Sequence, residues 1–133
     1  TLWLQAWVLR DWITKMRNTG IPVILAGDFN RQFRRLEGRF ALWRAINGVE
    51  PNIEVSEPWF VAHPQTATRK CPTRKGGSLQ PIDWIMVDTA LADSIVPGSF
   101  WETRWPPADI AATQQGRGLS DHCPISVDLE VSK

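Results

Sequence analysis

The sequence predicts an α/β fold of the α+β type, with mostly antiparallel strands and helices on one face of the sheet. Three patterns lead to this prediction. Residues 2–18 carry apolar side chains at spacings of four, three, four and three, as an amphipathic helix does. Residues 21–27 form an apolar run typical of a buried strand. Residues 125–131 place apolar side chains at every second position, which is typical of a strand with one exposed face.

A loop, a second helix and a hairpin are predicted after the first strand. Residues 28–35 are expected to form a loop at its carboxyl end, where ligand chemistry commonly lies. Residues 38–47 carry apolar side chains along one face and predict a helix. Prolines within residues 48–65 predict irregular chain. Residues 66–73 and 82–88 flank a glycine-containing turn and predict a hairpin.

The last third of the chain alternates short elements with one long connection. Residues 89–93 predict a helical turn, and residues 94–101 predict a strand interrupted by a Pro-Gly pair. Residues 102–118 contain prolines and glycines near both ends and predict a long loop. A final strand is expected over residues 123–131. Together these elements make one layer of strands with helices on one side.

The composition is ordinary for a globular chain. Its 133 residues supply one domain at most, and 43% apolar and 22% charged residues are typical values. The formal net charge of +1 excludes a global field that attracts nucleic acid or a membrane surface. No apolar run reaches the length of a transmembrane helix. Basic residues concentrate at 31–39 and 69–75, either as solvated loop charge or as phosphate contacts beside a site.

Tryptophan is unusually frequent in this chain, which has eight tryptophans and no tyrosine. An indole ring buries a large area and needs a partner for its N–H group, so most of these rings are expected in the core or at an interface. Trp3, Trp7 and Trp12 lie close together on the first predicted helix. They would form an exposed apolar patch if that helix lacked a partner.

Neither the cysteines nor the first histidine is predicted to take part in chemistry. If the strands containing Cys71 and Cys123 flank the strand of Asp83, they are two strand spacings apart, roughly 9–10 Å. A disulfide needs Cα atoms within about 7 Å of each other, so the sequence argues against a bridge. His63 precedes Pro64 in the irregular stretch and is expected to be a surface loop histidine.

Three short polar blocks stand beside predicted strands. They are Gly27-Asp28-Phe29-Asn30, Ile82-Asp83-Trp84 and Ser120-Asp121-His122-Cys123-Pro124. Strands hold side chains rigidly, so polar groups at their ends can converge on one site. Three aspartates, an asparagine and a histidine are the residue types of a metal-assisted hydrolytic site.

In this order the three blocks resemble the endonuclease/exonuclease/phosphatase superfamily, whose fold is that of deoxyribonuclease I. Any one block is weakly specific, but all three beside predicted strands are specific together. The resemblance covers nearly all of the chain and corresponds to the C-terminal half of that domain. Residues 1–133 are therefore expected to form half of a four-layer αββα sandwich. The expected partner is the absent N-terminal half, which carries the principal metal-binding glutamate, as a second chain, or else self-association.

The resemblance also implies a role for each polar residue of the blocks. Asp121 is expected to bind Mg²⁺, or Mn²⁺ or Ca²⁺ in its place, because hard cations prefer carboxylate oxygens. His122 is expected to contact the scissile phosphate, with Asp83 orienting its ring. Asp28 is expected to position or activate water, or to protonate the leaving oxygen. Asn30 is expected to donate to a non-bridging phosphate oxygen.

A structural explanation stands beside each of these roles. Asp121 suits a cap or a turn, and His122 suits a core position. Asp28 and Asn30 suit an Asx-turn that closes the strand. Trp84 is predicted to serve packing alone.

Two functions follow from the resemblance. The first is a divalent-metal-dependent phosphoester hydrolase, present as a fragment that is inactive or very weak by itself. Its substrate would be nucleic acid, a phospholipid headgroup or a sugar phosphate. The alternative is a non-catalytic phosphate-binding or assembly fragment that needs a partner chain. The sequence does not determine a location, but the third block resembles exported bacterial members and favours an exported or periplasmic protein.

Overall fold

The computed structural model of this chain describes residues 2–30, 33, 41–50, 53–64, 82–103, 105–116 and 122–130. The helices are α1 (Leu2–Asn18), α2 (Ala41–Ile46) and α3 (Pro107–Gln114), and a 3₁₀ helix spans Thr89–Ser94. The strands are β1 (Ile24–Asp28), β2 (Phe60–His63), β3 (Asp83–Asp88), β4 (Trp101–Glu102) and β5 (Ile125–Ser126).

All strand pairs in the described residues are antiparallel. The larger sheet has the order β1-β3-β2, so β3 is hydrogen-bonded on both sides. Leu25 of β1 and Ala62 of β2 both lie opposite Met86 of β3. The strands β4 and β5 form a second, two-stranded sheet, and an isolated bridge joins Ile95 to Leu129. The prediction of a mixed α/β chain with mostly antiparallel strands is confirmed.

One face of the larger sheet carries the core. Side chains alternate across a strand, so the residues that share a face with Met86 occupy every second position. These residues pack with the inner faces of α1 and α2. The core cluster contains Ala6, Ile13, Val23, Leu25, Phe33, Leu42, Trp43, Ala45, Ile46, Phe60, Ala62, Trp84 and Met86. The amphipathic helix predicted over residues 2–18 is α1, and the packing role predicted for Trp84 is confirmed, because this ring is 0% exposed.

The opposite face of the sheet is only partly covered. Ile85 and Val87 of β3 lie on this face and are buried, whereas Ile24, which is opposite Val87, is 47% exposed. Asp28 and Asp83 lie on the same face, at the end of β1 and the start of β3. The polar residues of the first two sequence blocks are thus separated from the helix-covered core.

Two predicted irregular regions contain regular structure. Residues 48–65 were expected to be irregular, but they include β2, which lies between Pro58 and Pro64. Prolines at both sides limit the length of this strand and leave its own N–H groups available for pairing with β3. The prolines therefore mark the ends of an element and do not exclude one.

The predicted long loop over residues 102–118 contains α3. Its glycine and proline residues serve as helix boundaries. Pro107 occupies the first helical position, where the missing N–H group has no intrahelical partner to lose. Gly116 has a φ of 74° just beyond the helix, which is the usual C-terminal glycine conformation.

The predicted strand boundaries were less accurate near the carboxyl end. In the region expected to form a strand over 94–101, the structure has β4 and the bridge at Ile95. In the described part of the final strand expected over 123–131, which ends at residue 130, it has β5 and the bridge at Leu129. The strand predicted over 66–73 lies outside the described residues.

The tryptophans divide between the core and the surface. Trp43 and Trp84 are buried, whereas Trp7 and Trp12 on α1 are 39% and 48% exposed and Trp101 is 60% exposed. None of the described helices has the length and apolar content to cross a bilayer.

Cys123 is disulfide-bonded, so the prediction against a bridge is wrong. That prediction assumed that the strand after Cys123 flanks β3. The neighbours of β3 are instead β1 and β2, and the strand after Cys123 pairs with β4. The expected separation of two strand spacings therefore does not apply.

His63 is buried, and its prediction as a surface loop histidine is wrong. It is the last residue of β2, is 6% exposed, and stacks on Phe100 with ring centroids 6.2 Å apart. Its Nε2 atom has no hydrogen-bond partner within the described part of the chain. Burial lowers the pKa of His63, because removing the imidazolium from water disfavours the charged form.

Asp88 joins the sheet to two neighbouring elements. It is 1% exposed at the end of β3, and its carboxylate accepts hydrogen bonds from Arg17 Nη1 at 2.6 Å and from the backbone N–H of Ala90 at 3.0 Å. A longer bond of 3.4 Å comes from the N–H of Val23. One carboxylate thus connects α1, the start of β1 and the first turn of the 3₁₀ helix.

We expect Asp88→Ala to lower the free energy of unfolding by about 2–4 kcal/mol, because it leaves the Arg17 guanidinium and two backbone donors without their acceptor. The exposed Asp93 of the same 3₁₀ helix provides the control. Asp93→Ala should change the free energy by less than about 0.5 kcal/mol. Urea unfolding curves measure both changes, and equal effects of the two substitutions would contradict the role of Asp88.

We expect His63 to make the protein less stable as the pH falls below the ordinary histidine pKa of 6.5. The unfolded chain then gains a proton on His63, whereas the folded chain stays neutral until the pH reaches its lowered pKa. The contribution of neutral His63 to the free energy of unfolding is therefore complete above the pKa of the unfolded chain. It is lost as the pH falls from that value toward the lowered pKa of the folded chain. His63→Phe keeps a ring that can stack on Phe100 and removes the imidazole that binds this proton.

The measurement compares unfolding free energies of the two proteins between about pH 8 and about pH 5. The wild-type protein should lose more stability than His63→Phe over this interval. A difference between the two proteins that does not change with pH would show that His63 titrates normally when folded.

Candidate functional site

The candidate site lies where β1 ends and β3 begins. Asp28 and Asp83 are direct partners in the antiparallel register, on the sheet face away from α1 and α2. Directly opposed residues have Cβ atoms about 4.5–5.5 Å apart, and like charges in such pairs are unfavourable. Neighbouring donors are therefore needed to stabilise two carboxylates at this position.

His122 supplies one of these donors. Its Nδ1 atom lies 2.8 Å from Oδ2 and 3.0 Å from Oδ1 of Asp83. An ionised carboxylate can only accept, so this contact places a hydrogen on Nδ1. The other ring nitrogen, Nε2, lies 3.8 Å from Oδ2 of Asp28. The imidazole is therefore held between the two carboxylates, and in its neutral form Nε2 is the nitrogen that carries the lone pair.

The backbone around His122 is fixed by its own contacts. The indole N–H of Trp105 donates to the His122 carbonyl at 2.6 Å. The next residue, Cys123, is disulfide-bonded and 7% exposed. Sequence reasoning missed Trp105 as a positioning residue, although the need of a partly buried indole N–H for an acceptor was a usable signal.

Asn30 supplies donors to Asp28. Its backbone N–H donates to Oδ1 at 2.7 Å, and its side-chain amide donates to Oδ2 at 2.9 Å. Asn30 has a φ of 51°, a left-handed conformation that asparagine tolerates better than most residues. The Asx-turn considered from the sequence is thus present. It coexists with the approach of the same carboxylate to His122.

The three ionisable side chains of the site are accessible from solvent. The side chains of Asp28 and His122 are each 33% exposed, and that of Asp83 is 25% exposed. We call Asp28, Asp83 and His122 the acid–base cluster. An imidazole fixed by one carboxylate and placed beside another can accept a proton from water or donate one to an oxygen of a bound molecule.

The acid–base cluster fits a divalent cation only in part. One ligand atom from each of the three side chains can be chosen so that all lie within 4.8 Å of one another. However, Nδ1 of His122 is engaged with Asp83, and both oxygens of Asp28 accept from Asn30. A hard cation such as Mg²⁺ prefers oxygen ligands, so these contacts describe a hydrogen-bonded unit better than a complete Mg²⁺ site.

The structure brings Asp28, Asn30, Asp83 and His122 together. Asp121, the predicted metal ligand, lies outside the described residues, as do the basic residues at 31, 34–39 and 69–75. The catalytic roles assigned to these residues from the resemblance stay predictions.

Comparison of the chain with protein-family models, with curated proteins and with solved structures found no match.

Proposed function

We propose that this chain provides the C-terminal half of a divalent-metal-dependent phosphoester hydrolase of the endonuclease/exonuclease/phosphatase superfamily. The observation that carries the proposal is the 2.8 Å contact between His122 Nδ1 and Asp83. It lies beside Asp28, so each of the three sequence blocks contributes one residue to the site. The proposed complete fold is the DNase I-like αββα sandwich. Its second sheet would pack on the exposed face of β1, where Ile24 is 47% exposed.

Each residue of the acid–base cluster has a distinct task in this proposal. Asp83 holds the His122 ring and stabilises its protonated form. Nε2 of His122 then takes a proton from the attacking water or donates to a phosphoryl oxygen. Asp28, 3.8 Å from Nε2, positions the water or the leaving oxygen. Asn30 keeps the Asp28 carboxylate in place and offers an amide near the phosphate.

The proposed metal is Mg²⁺, with Mn²⁺ or Ca²⁺ as alternatives. Asp121 would hold it, together with a glutamate from the complementary half of the domain. A cation held there would supply positive charge to the phosphoryl oxygens. One carboxylate from this chain binds such an ion weakly, so the chain alone is proposed to be inactive or very weak.

The proposed substrate is a phosphoester, with nucleic acid, a phospholipid headgroup and a sugar phosphate as the candidate classes. The proposed partner is the N-terminal half of the domain as a second chain, or a second copy of this chain. An exported or periplasmic location agrees with the disulfide at Cys123, because disulfides persist mainly in oxidising compartments.

A second candidate is a non-catalytic phosphate-binding or assembly fragment. The Asx-turn favours it, because both oxygens of Asp28 are already engaged with Asn30. In this case the chain combined with the complementary half would bind inorganic phosphate but hydrolyse no phosphodiester with any of the three cations. Hydrolysis under those conditions would exclude this second candidate.

We expect His122→Ala to lower turnover of a phosphodiester by at least about 10²-fold, which is typical of a positioned acid–base group. The assay uses the chain with the complementary half and Mg²⁺. Asp109→Ala, an exposed carboxylate on α3, is the control and should leave turnover unchanged. A fall of less than about threefold for His122→Ala would remove this residue from the mechanism.

We expect Asp83→Asn to lower turnover less than His122→Ala does and to shift the pH profile of kcat. The amide still reaches Nδ1 but no longer stabilises the imidazolium, so the pKa of the essential histidine should fall. Asp109→Asn is the matched control, since it removes one exposed carboxylate elsewhere. If the Asp83→Asn profile superimposes on that of the wild type, the contact has no catalytic role.

A further inference from the structure

The residues that follow His122 are held by an antiparallel ladder with the chain before α3. Trp101 of β4 lies opposite Ser126 of β5. Beyond the end of β4, the backbone N–H of Thr103 donates to the carbonyl of Pro124 at 2.8 Å. Hydrogen-bonded pairs in an antiparallel ladder recur at every second residue, so this bond continues the register of the two strands. The ladder therefore extends toward the candidate site.

Trp105 supplies the next hydrogen bond of this ladder through its side chain. In the same register, the hydrogen-bonded pair after Thr103 and Pro124 consists of Trp105 and His122. The carbonyl of His122 accepts from the indole N–H of Trp105 at 2.6 Å. An indole N–H is only a donor, so it can take the role that a backbone N–H has in a regular ladder. The side chain thus continues the ladder by one pair.

The backbone turns into α3 directly after Trp105. The carbonyl of Pro106 accepts from the N–H of Asp109 at 3.0 Å, and α3 begins at Pro107. A proline disfavours helical backbone at the residue before it, which separates the conformation of Trp105 from that of the helix. The indole therefore anchors His122 at the point where the main chain leaves the ladder.

The orientation of this carbonyl bears directly on the acid–base cluster. Nδ1 of His122 lies 2.8 Å from Asp83, and Nε2 lies 3.8 Å from Asp28. Both distances depend on the backbone of His122, because a side chain moves with the peptide groups on either side of its Cα atom. The His122 side chain is 33% exposed, so packing holds it less firmly than it holds a core residue. The hydrogen bond from Trp105 restrains the backbone that carries the ring.

We propose that Trp105 is a positioning residue of the hydrolase, whose indole N–H orients the His122 peptide group and so keeps the imidazole between Asp83 and Asp28. This inference rests on the proposed function and deepens it, since turnover then depends on a residue outside the three sequence blocks. Trp105 acts through His122 and does not contact the substrate. Loss of its N–H should therefore lower kcat and leave KM nearly unchanged.

The first test measures, by NMR on the chain alone, how fast the His122 Nδ1 proton exchanges with water. The chain has two histidines, so the spectrum of His63→Phe identifies the His122 signals. Trp105→Phe should raise the exchange rate by about threefold to tenfold, the change expected for the loss of one hydrogen bond. Trp12→Phe, at an exposed position of α1, is the matched control and should leave the rate unchanged.

A replacement that keeps the shape of the ring separates positioning from packing. Benzothienylalanine has a sulfur atom in place of the indole N–H group and otherwise the same bicyclic ring. In place of Trp105 it should raise the exchange rate as Trp105→Phe does, and in place of Trp12 it should have no effect. Urea unfolding curves establish that each protein is folded under the NMR conditions. A wild-type exchange rate with benzothienylalanine in place of Trp105 would overturn the inference.

Kinetics of the chain with its complementary half form the second test. With a phosphodiester and Mg²⁺, both replacements of Trp105 should lower kcat by about threefold to tenfold and change KM by less than about twofold. An unchanged kcat, or a fall in kcat/KM that comes from KM alone, would overturn the inference and leave the hydrolase proposal intact. Absence of hydrolysis by the wild-type assembly would instead overturn the hydrolase proposal, whereas the proton exchange still decides whether Trp105 positions His122.

Discussion

The antiparallel register between β1 and β3 positions both the core and the candidate site. It sets Leu25 against Met86 in the core and Asp28 against Asp83 on the other face. Asp28 lies three residues after Leu25 on β1, and Asp83 lies three residues before Met86 on β3. Side chains alternate between faces with a period of two, so a slip of one residue would turn the apolar set toward the second face. Burial of the core thus determines the position of the two carboxylates.

The two ends of β3 carry aspartates that lie in different environments. Asp88 is buried, and its carboxylate is satisfied by the Arg17 guanidinium and backbone N–H groups, so it stabilises the fold. Asp83 is a quarter exposed and holds a histidine that solvent can reach. The same strand therefore carries a structural aspartate at one end and a candidate catalytic one at the other.

The two histidines divide the same face of the sheet into two environments. His122 lies between carboxylates, where a proton on the ring is stabilised by negative charge. His63 lies among apolar side chains, where burial disfavours that proton. The first environment can hold a proton on the ring or pass one to a bound molecule at Nε2, whereas the second keeps the imidazole neutral.

α1, β3 and the polar blocks at the strand ends could be predicted from the sequence, because each lies in one contiguous segment with a clear local pattern. The sequence also identified four residues that meet at the candidate site. The burial of His63, the disulfide at Cys123 and the hydrogen bond from Trp105 to His122 could not be predicted and follow from tertiary packing. Each of these depends on segments distant in the chain. Prolines and glycines are ambiguous in the sequence, because they are common both in loops and at the ends of helices and strands. Here they lie at the ends of α3 and β2. Tertiary packing determines which of the two roles applies.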